Sequence, residues 1–167
     1  MSANRLVLLS VLFLTAACAT PNRTGASPVG TAAEASAASA HARPGYLAIP
    51  MDGRLIVLRH DDRELAAFEK TRELGKSVSR IGAGPNGMTL RAPDTDTIDG
   101  YLLARPGFAT RVVEGRIWVF AADSAEWKDF LAHGELAKSV TRVGAGPNGA
   151  TVKAPDTKTL EAWLAAL

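Results

Sequence analysis

Cysteine is almost absent, with Cys18 the single example in 167 residues. The chain can therefore close no internal disulfide and offers no thiolate pair for a metal. Aromatic residues make up 6%, and the formal net charge is only +2, from 19 Lys and Arg against 17 Asp and Glu. A nucleic-acid surface calls for a basic tail or for basic residues interleaved with aromatics, and neither pattern occurs. Histidine is scarce too: His41 falls in an Ala/Ser-rich stretch, while His60 and His133 occupy unrelated places in the repeat described below. No nucleophile, base and orienting acid recur together, so no catalytic residue and no metal site is assigned.

What the N-terminus does hold is Arg5, an apolar run from Leu6 to Leu14, and Thr15, Ala16 and Ala17 ahead of Cys18. The run is too short to span a bilayer and has the order of a secretory signal, residues 1–17. Its ending resembles a bacterial lipoprotein signal, with Thr15 where that pattern most often has leucine. The resemblance covers only the first 18 residues. It implies a lipid on Cys18, anchoring in the cell envelope and, because Ala19 rather than aspartate follows, the outer membrane facing the periplasm rather than the inner membrane. Residues 18–42 then read as a lipidated cysteine and a flexible tether, because Ala, Ser, Thr, Gly and Pro bury too little apolar surface to offset ordering.

From Arg43 the sequence repeats at an offset of 62 without a gap, with 29 identities over the 62 aligned positions. The first copy covers 43–104 and the second 105–167, the two fused into one globular domain. Each copy has an Asp-Gly or Glu-Gly turn between apolar runs, the mark of a hairpin. Asp61 with Glu64, and Asp123 with Glu126, have capping-box spacing ahead of an amphipathic helix that Gly134 ends in the second copy. A glycine-rich hairpin follows, and Asp94 or Asp156 then caps a last helix. The fold class is α+β: a tandem duplication of a ββαββα unit, mostly antiparallel, with eight strands and four helices in two pseudo-symmetric halves.

The glycine segment "RIGAGPNG" spells the G-x-G-x-x-G of dinucleotide sites, but its surroundings exclude that use. A dinucleotide loop needs an apolar parallel strand before it and a helix straight after it. Here "KSVSR" precedes and "MTLRAPD" follows, polar on one side and strand-like with a proline on the other. The segment therefore predicts a turn, of type I closed by a glycine bulge, and no cofactor. Gly82 and Gly84 leave room for something to pack on them, in the first instance Tyr101 or Trp163.

The candidate contact residues are the polar ones of these hairpins: Lys76, Arg80, Asn86 and Arg91, with Lys138, Arg142, Asn148 and Lys153 in the second copy. Arg80 and Arg91 could be cross-strand neighbours needing an anion between them, depending on the register. "RHDD", with His60, Asp61 and Asp62, could approach a metal, although capping explains Asp61 as well. The expected function is a non-enzymatic envelope lipoprotein whose duplicated domain binds or scaffolds another envelope or cell-wall component. The alternatives are an anionic-ligand or glycan-binding protein using the paired hairpins, and an envelope hydrolase or transferase built on a perturbed carboxylate such as Glu73 or Glu135.

Overall fold

Two residues set the first turn of each copy. Asp52 and Gly53 take φ of 51° and 71°, and Glu114 and Gly115 take 51° and 72°, the left-handed pair that a two-residue hairpin requires. In this computed structural model, which describes residues 40–167, the turns join β1 (Tyr46–Met51) to β2 (Arg54–Arg59) and β5 (Phe108–Val113) to β6 (Arg116–Ala121). The expectations for the signal, Cys18 and most of the tether fall outside the described residues. At the end of that stretch, Ala40 and His41 are helical.

The remaining elements of the first copy are α1 (Leu65–Thr71), β3 (Val78–Arg80), β4 (Thr89–Ala92) and α2 (Thr95–Leu103). The second copy has α3 (Ala125–His133), β7 (Val140–Arg142), β8 (Thr151–Ala154) and α4 (Thr157–Ala165). The α+β duplication of a ββαββα unit is thus present, as two sheets ordered β1-β2-β4-β3 and β5-β6-β8-β7. Each sheet is mixed: β2 and β4 run parallel, as do β6 and β8, and the other pairs are antiparallel. A single sheet through both copies is not formed.

The central strands explain the layering. β2 reads "RLIVLR", and Leu55 with Val57 face Ile98 and Tyr101 of α2, while Ile56 with Leu58 face Phe68 of α1. A strand apolar on both faces needs a cover on both faces, and each copy is a helix-sheet-helix sandwich. In the second copy Ile117 and Val119 meet Leu160 and Trp163 of α4, and Trp118 and Phe120 meet Trp127 and Phe130 of α3.

The helix starts differ from one expectation. Asp94 and Asp156 cap α2 and α4 through the Thr97 and Thr159 amides (2.6 and 2.8 Å). The first helix of each copy forms no capping box with Asp61 or Asp123. Ser124 caps α3 by accepting from the Trp127 amide at 3.1 Å, and Asp123 instead sits at φ 61°. Glu64 precedes α1 without a side-chain cap, and Asp62 accepts from its amide at 3.0 Å. Gly134 does end α3, at φ 82°.

Candidate functional site

The glycine segments form loops at one end of each sheet, but not with the expected turn. Asn86 and Gly87 both have positive φ (54° and 74°), as do Asn148 and Gly149 (56° and 75°), whereas a type I turn keeps its central residues at negative φ. Asparagine and glycine tolerate the left-handed region, and the loop closes with Gly84 N–H donating to Met88 O at 2.8 Å. The aromatics expected over Gly84 are not there. A Cβ at that position would lie 2.8 Å from Leu90 Cδ2 and 2.9 Å from Met88 O, so the following strand itself fills the space. Gly82 opens to solvent, and beside it Ile81 is 88% exposed; Val143, its counterpart, is 82% exposed.

Four of the six candidate hairpin cations, Arg80, Arg91, Arg142 and Lys153, have partners within the fold. Arg80 lies opposite Leu90 and Arg91 opposite Ser79, so the two arginines are not direct neighbours. Arg80 Nη1 donates to Asp99 Oδ1 on α2, and Arg142 Nη2 donates to Glu161 Oε1 on α4 at 3.2 Å. Arg91 Nε donates to Ser77 Oγ at 2.9 Å, and Lys153 Nζ sits 4.1 Å from the Trp118 ring centre. Lys76, Lys138, Asn86 and Asn148 are exposed. The carboxylates of "RHDD" are engaged too: Asp61 accepts from Arg111 at 2.7 Å, and Asp62 lies 3.6 Å from Arg59.

The two copies meet along α2, which covers its own sheet and also packs against β5. Gly100 makes this possible, because a Cβ there would overlap Tyr46 Oη. Through that gap the tyrosine donates to Thr110 O on β5 at 2.7 Å, a buried bond between copies. Burial pushes the Tyr46 hydroxyl well above its usual range, against the pull of Arg111 and Arg59, so it stays a donor. Arg111, 5% exposed, pairs with Asp61 of the first copy and lies 5.4 Å from the Trp127 ring centre. Trp163 Nε1 donates to Leu103 O at 3.4 Å.

No protein-family model, no curated protein and no solved structure matches this chain.

Beside that seam lies a cleft of about 470 Å³ between α2, the β5–β6 hairpin and the second glycine loop. Its floor is apolar, with Leu102 and Leu103 from α2 and Val112 and Ile117 from the second sheet. Polar groups line it as well: Asp96, Asp99 and Arg80 from the first copy and Asn148 from the second. Two of the candidate contact residues, Arg80 and Asn148, are thereby brought to one place from different copies. Asn86 does not line it, so the two loop tips do not share this cleft. Asp96 is held above its ordinary range by desolvation first and by Asp94 and Asp99 next, against a hydrogen bond from the Glu114 amide.

Sequence reasoning missed Tyr46, Gly100, Arg111 and Asp96 because it weighted residues that both copies share. A seam occurs once, so its residues are those in which the copies differ. At the 62-residue offset, Tyr46 becomes Phe108, Gly100 becomes Ala162, Arg111 answers to Ile49, and Asp96 becomes Lys158.

Proposed function

We propose that this chain is a lipid-anchored protein of the cell envelope, held through Cys18 in the outer membrane, and that its duplicated domain binds or scaffolds another envelope component without catalysing a reaction. The carrying observation is the matched pair of glycine loops, where Ile81 and Val143 are 88% and 82% exposed. A β-branched apolar side chain in water adds nothing to the core, yet both copies keep one although they differ at about half of their aligned positions. Two such loops on one chain give a bivalent contact, in which the second engagement is intramolecular. The signal-like N-terminus and the Ala/Ser-rich stretch supply anchor and reach.

The anchor is tested by palmitate labelling together with fractionation of Cys18→Ser. Labelling of the native chain, lost in the variant along with membrane association, is the expected result; absence of label and unchanged fractionation end the lipoprotein reading. The loops are tested by cross-linking in intact envelopes. The Ile81→Ser/Val143→Ser double variant should lose its cross-linked species while keeping the native far-UV circular dichroism.

A further inference from the structure

We propose that the seam cleft binds a primary ammonium group carried on an aliphatic arm, of the kind a lysine-type side chain presents. This stands apart from the glycine-loop reading above, and either can fail without the other.

The cleft's shape comes from both copies. Along α2, Asp96, Asp99 and Leu103 follow at helical spacing on one side, so the carboxylates stand at the helix start and the apolar part lies toward its end. Val112 and Ile117 complete an apolar wall of the size an alkyl arm needs, and burial of each methylene there is favourable. The charges then choose the head group. Asp99 is already satisfied, because Arg80 donates to it. Asp96 lies near Asp94 and Asp99, two like charges; the Glu114 amide donates to it, and Arg59 is engaged by Asp94 at 3.5 Å. A cation entering the cleft supplies an opposite charge beside Asp96, whereas an anion meets Asp96 and Asp99 on the cleft wall, with only Arg80, already held by Asp99, to offset them. A neutral alkyl group fills the floor and leaves Asp96 as it was. The exposed carboxamide of Asn148, on the wall formed by the second copy, can hydrogen-bond a peptide backbone that carries the arm.

The second copy offers an internal contrast. Its α4 carries Lys158 at the position of Asp96, so the acid belongs to the seam and not to the repeat as such. The same lysine shows that a helix of this unit accepts a cation at that position, which makes Asp96→Lys a conservative test of fold and a drastic test of site.

The experiment titrates the full chain in detergent with three probes while recording backbone amide shifts. These are Nα-acetyl-lysine methylamide, its neutral counterpart Nα-acetyl-norleucine methylamide, and n-pentylamine. The lysine probe should give saturable shifts centred on Asp96, Asp99, Leu103 and Ile117. Asp96→Asn should weaken it by about tenfold, as expected for loss of one charge-assisted contact, and Asp96→Lys should abolish it. Tighter binding of the lysine probe than of pentylamine identifies a peptide-borne side chain; equal binding identifies a free amine as the source, with the ammonium site intact. Binding of the norleucine probe as tight as that of the lysine probe, undiminished binding to Asp96→Asn, shifts centred elsewhere, or no shifts at all would each overturn the proposal. Native amide dispersion in Asp96→Asn and Asp96→Lys separates loss of the site from loss of the fold.

Discussion

At the scale of single residues, the pair Tyr46 and Gly100 decides how closely the copies can approach. The tyrosine hydroxyl occupies the space that a Cβ on Gly100 would take, and it uses that space to reach Thr110 O. In the second copy the matching residues are Phe108 and Ala162, a ring without a hydroxyl beneath a helix with a methyl. The molecule thus contains both members of a double-mutant cycle. Gly100→Ala alone should destabilise by about 2–3 kcal/mol, in the upper part of the range for overpacking a filled core. Tyr46→Phe alone should cost about 1 kcal/mol, the net worth of one buried hydrogen bond. The double variant should recover most of the Gly100→Ala loss, since removing the hydroxyl leaves ring Cζ, 2.9 Å from the new Cβ, to give by a few tenths of an ångström, and a strongly favourable coupling in urea unfolding is the signature. Costs that simply add would mean that something other than this overlap limits the position. Gly84 is a second site of close approach, but there the obstacle includes backbone, Met88 O, so no single side-chain change should rescue Gly84→Ala.

At the scale of elements, much was legible in the sequence, and for identifiable reasons. The Asp-Gly and Glu-Gly hairpins and the Asp94 and Asp156 caps depend on neighbours in the chain, where residue type and spacing carry the information. The turn at Pro85–Gly87 was misread because Asn86 fits either side of φ space and only the closure of Gly84 onto Met88 decides it. Asp61 was misread as a cap because its partner, Arg111, lies 50 residues away in the other copy. Among the readable elements, the α4 cap gives a pH prediction. Hydrogen bonds from the Thr159 amide and then its hydroxyl hold the Asp156 carboxyl below its ordinary value of 3.8. A carboxyl depressed in the folded state contributes its stability in full above the unfolded value, and that contribution shrinks as pH falls through the folded one. Asp156→Asn keeps a capping oxygen for the Thr159 amide and loses the charge together with the second oxygen that accepts from the Thr159 hydroxyl. Its deficit against the native chain should therefore be present at neutral pH and close as the medium is taken below about pH 4, the carboxylate range. Asp156→Ala removes the cap itself and should cost about 1 kcal/mol at neutral pH. Thermal unfolding across pH distinguishes the two.

At the scale of the whole molecule, the question is whether the copies unfold together, and the chain carries its own reporters. Both tyrosines, Tyr46 and Tyr101, belong to the first copy, and all three tryptophans, Trp118, Trp127 and Trp163, belong to the second. With α2 packed on both sheets and the Tyr46, Arg111 and Trp163 contacts crossing the seam, tyrosine absorbance and tryptophan fluorescence should report one coincident transition in urea. Arg111 is where that coupling can be changed with least disturbance, because the first copy has Ile49 in its place. Arg111 is 5% exposed and its Nε has no hydrogen-bond partner among the described residues, whereas the Asp61 side chain that holds it is 41% exposed. Removing the acid strands a buried cation, while replacing the cation leaves a carboxylate that water can reach. Asp61→Ala should accordingly cost about 1–3 kcal/mol, less than a fully buried pair because the acid is partly solvated. Arg111→Ile should be near neutral, since apolar packing replaces a desolvated charge. Combining the two should resemble Arg111→Ile alone. If Arg111→Ile instead proves the more damaging variant, the arginine stabilises the seam through its stacking on Trp127 rather than through the ion pair, and Asp61→Ala should then leave the two optical transitions coincident and nearly unshifted.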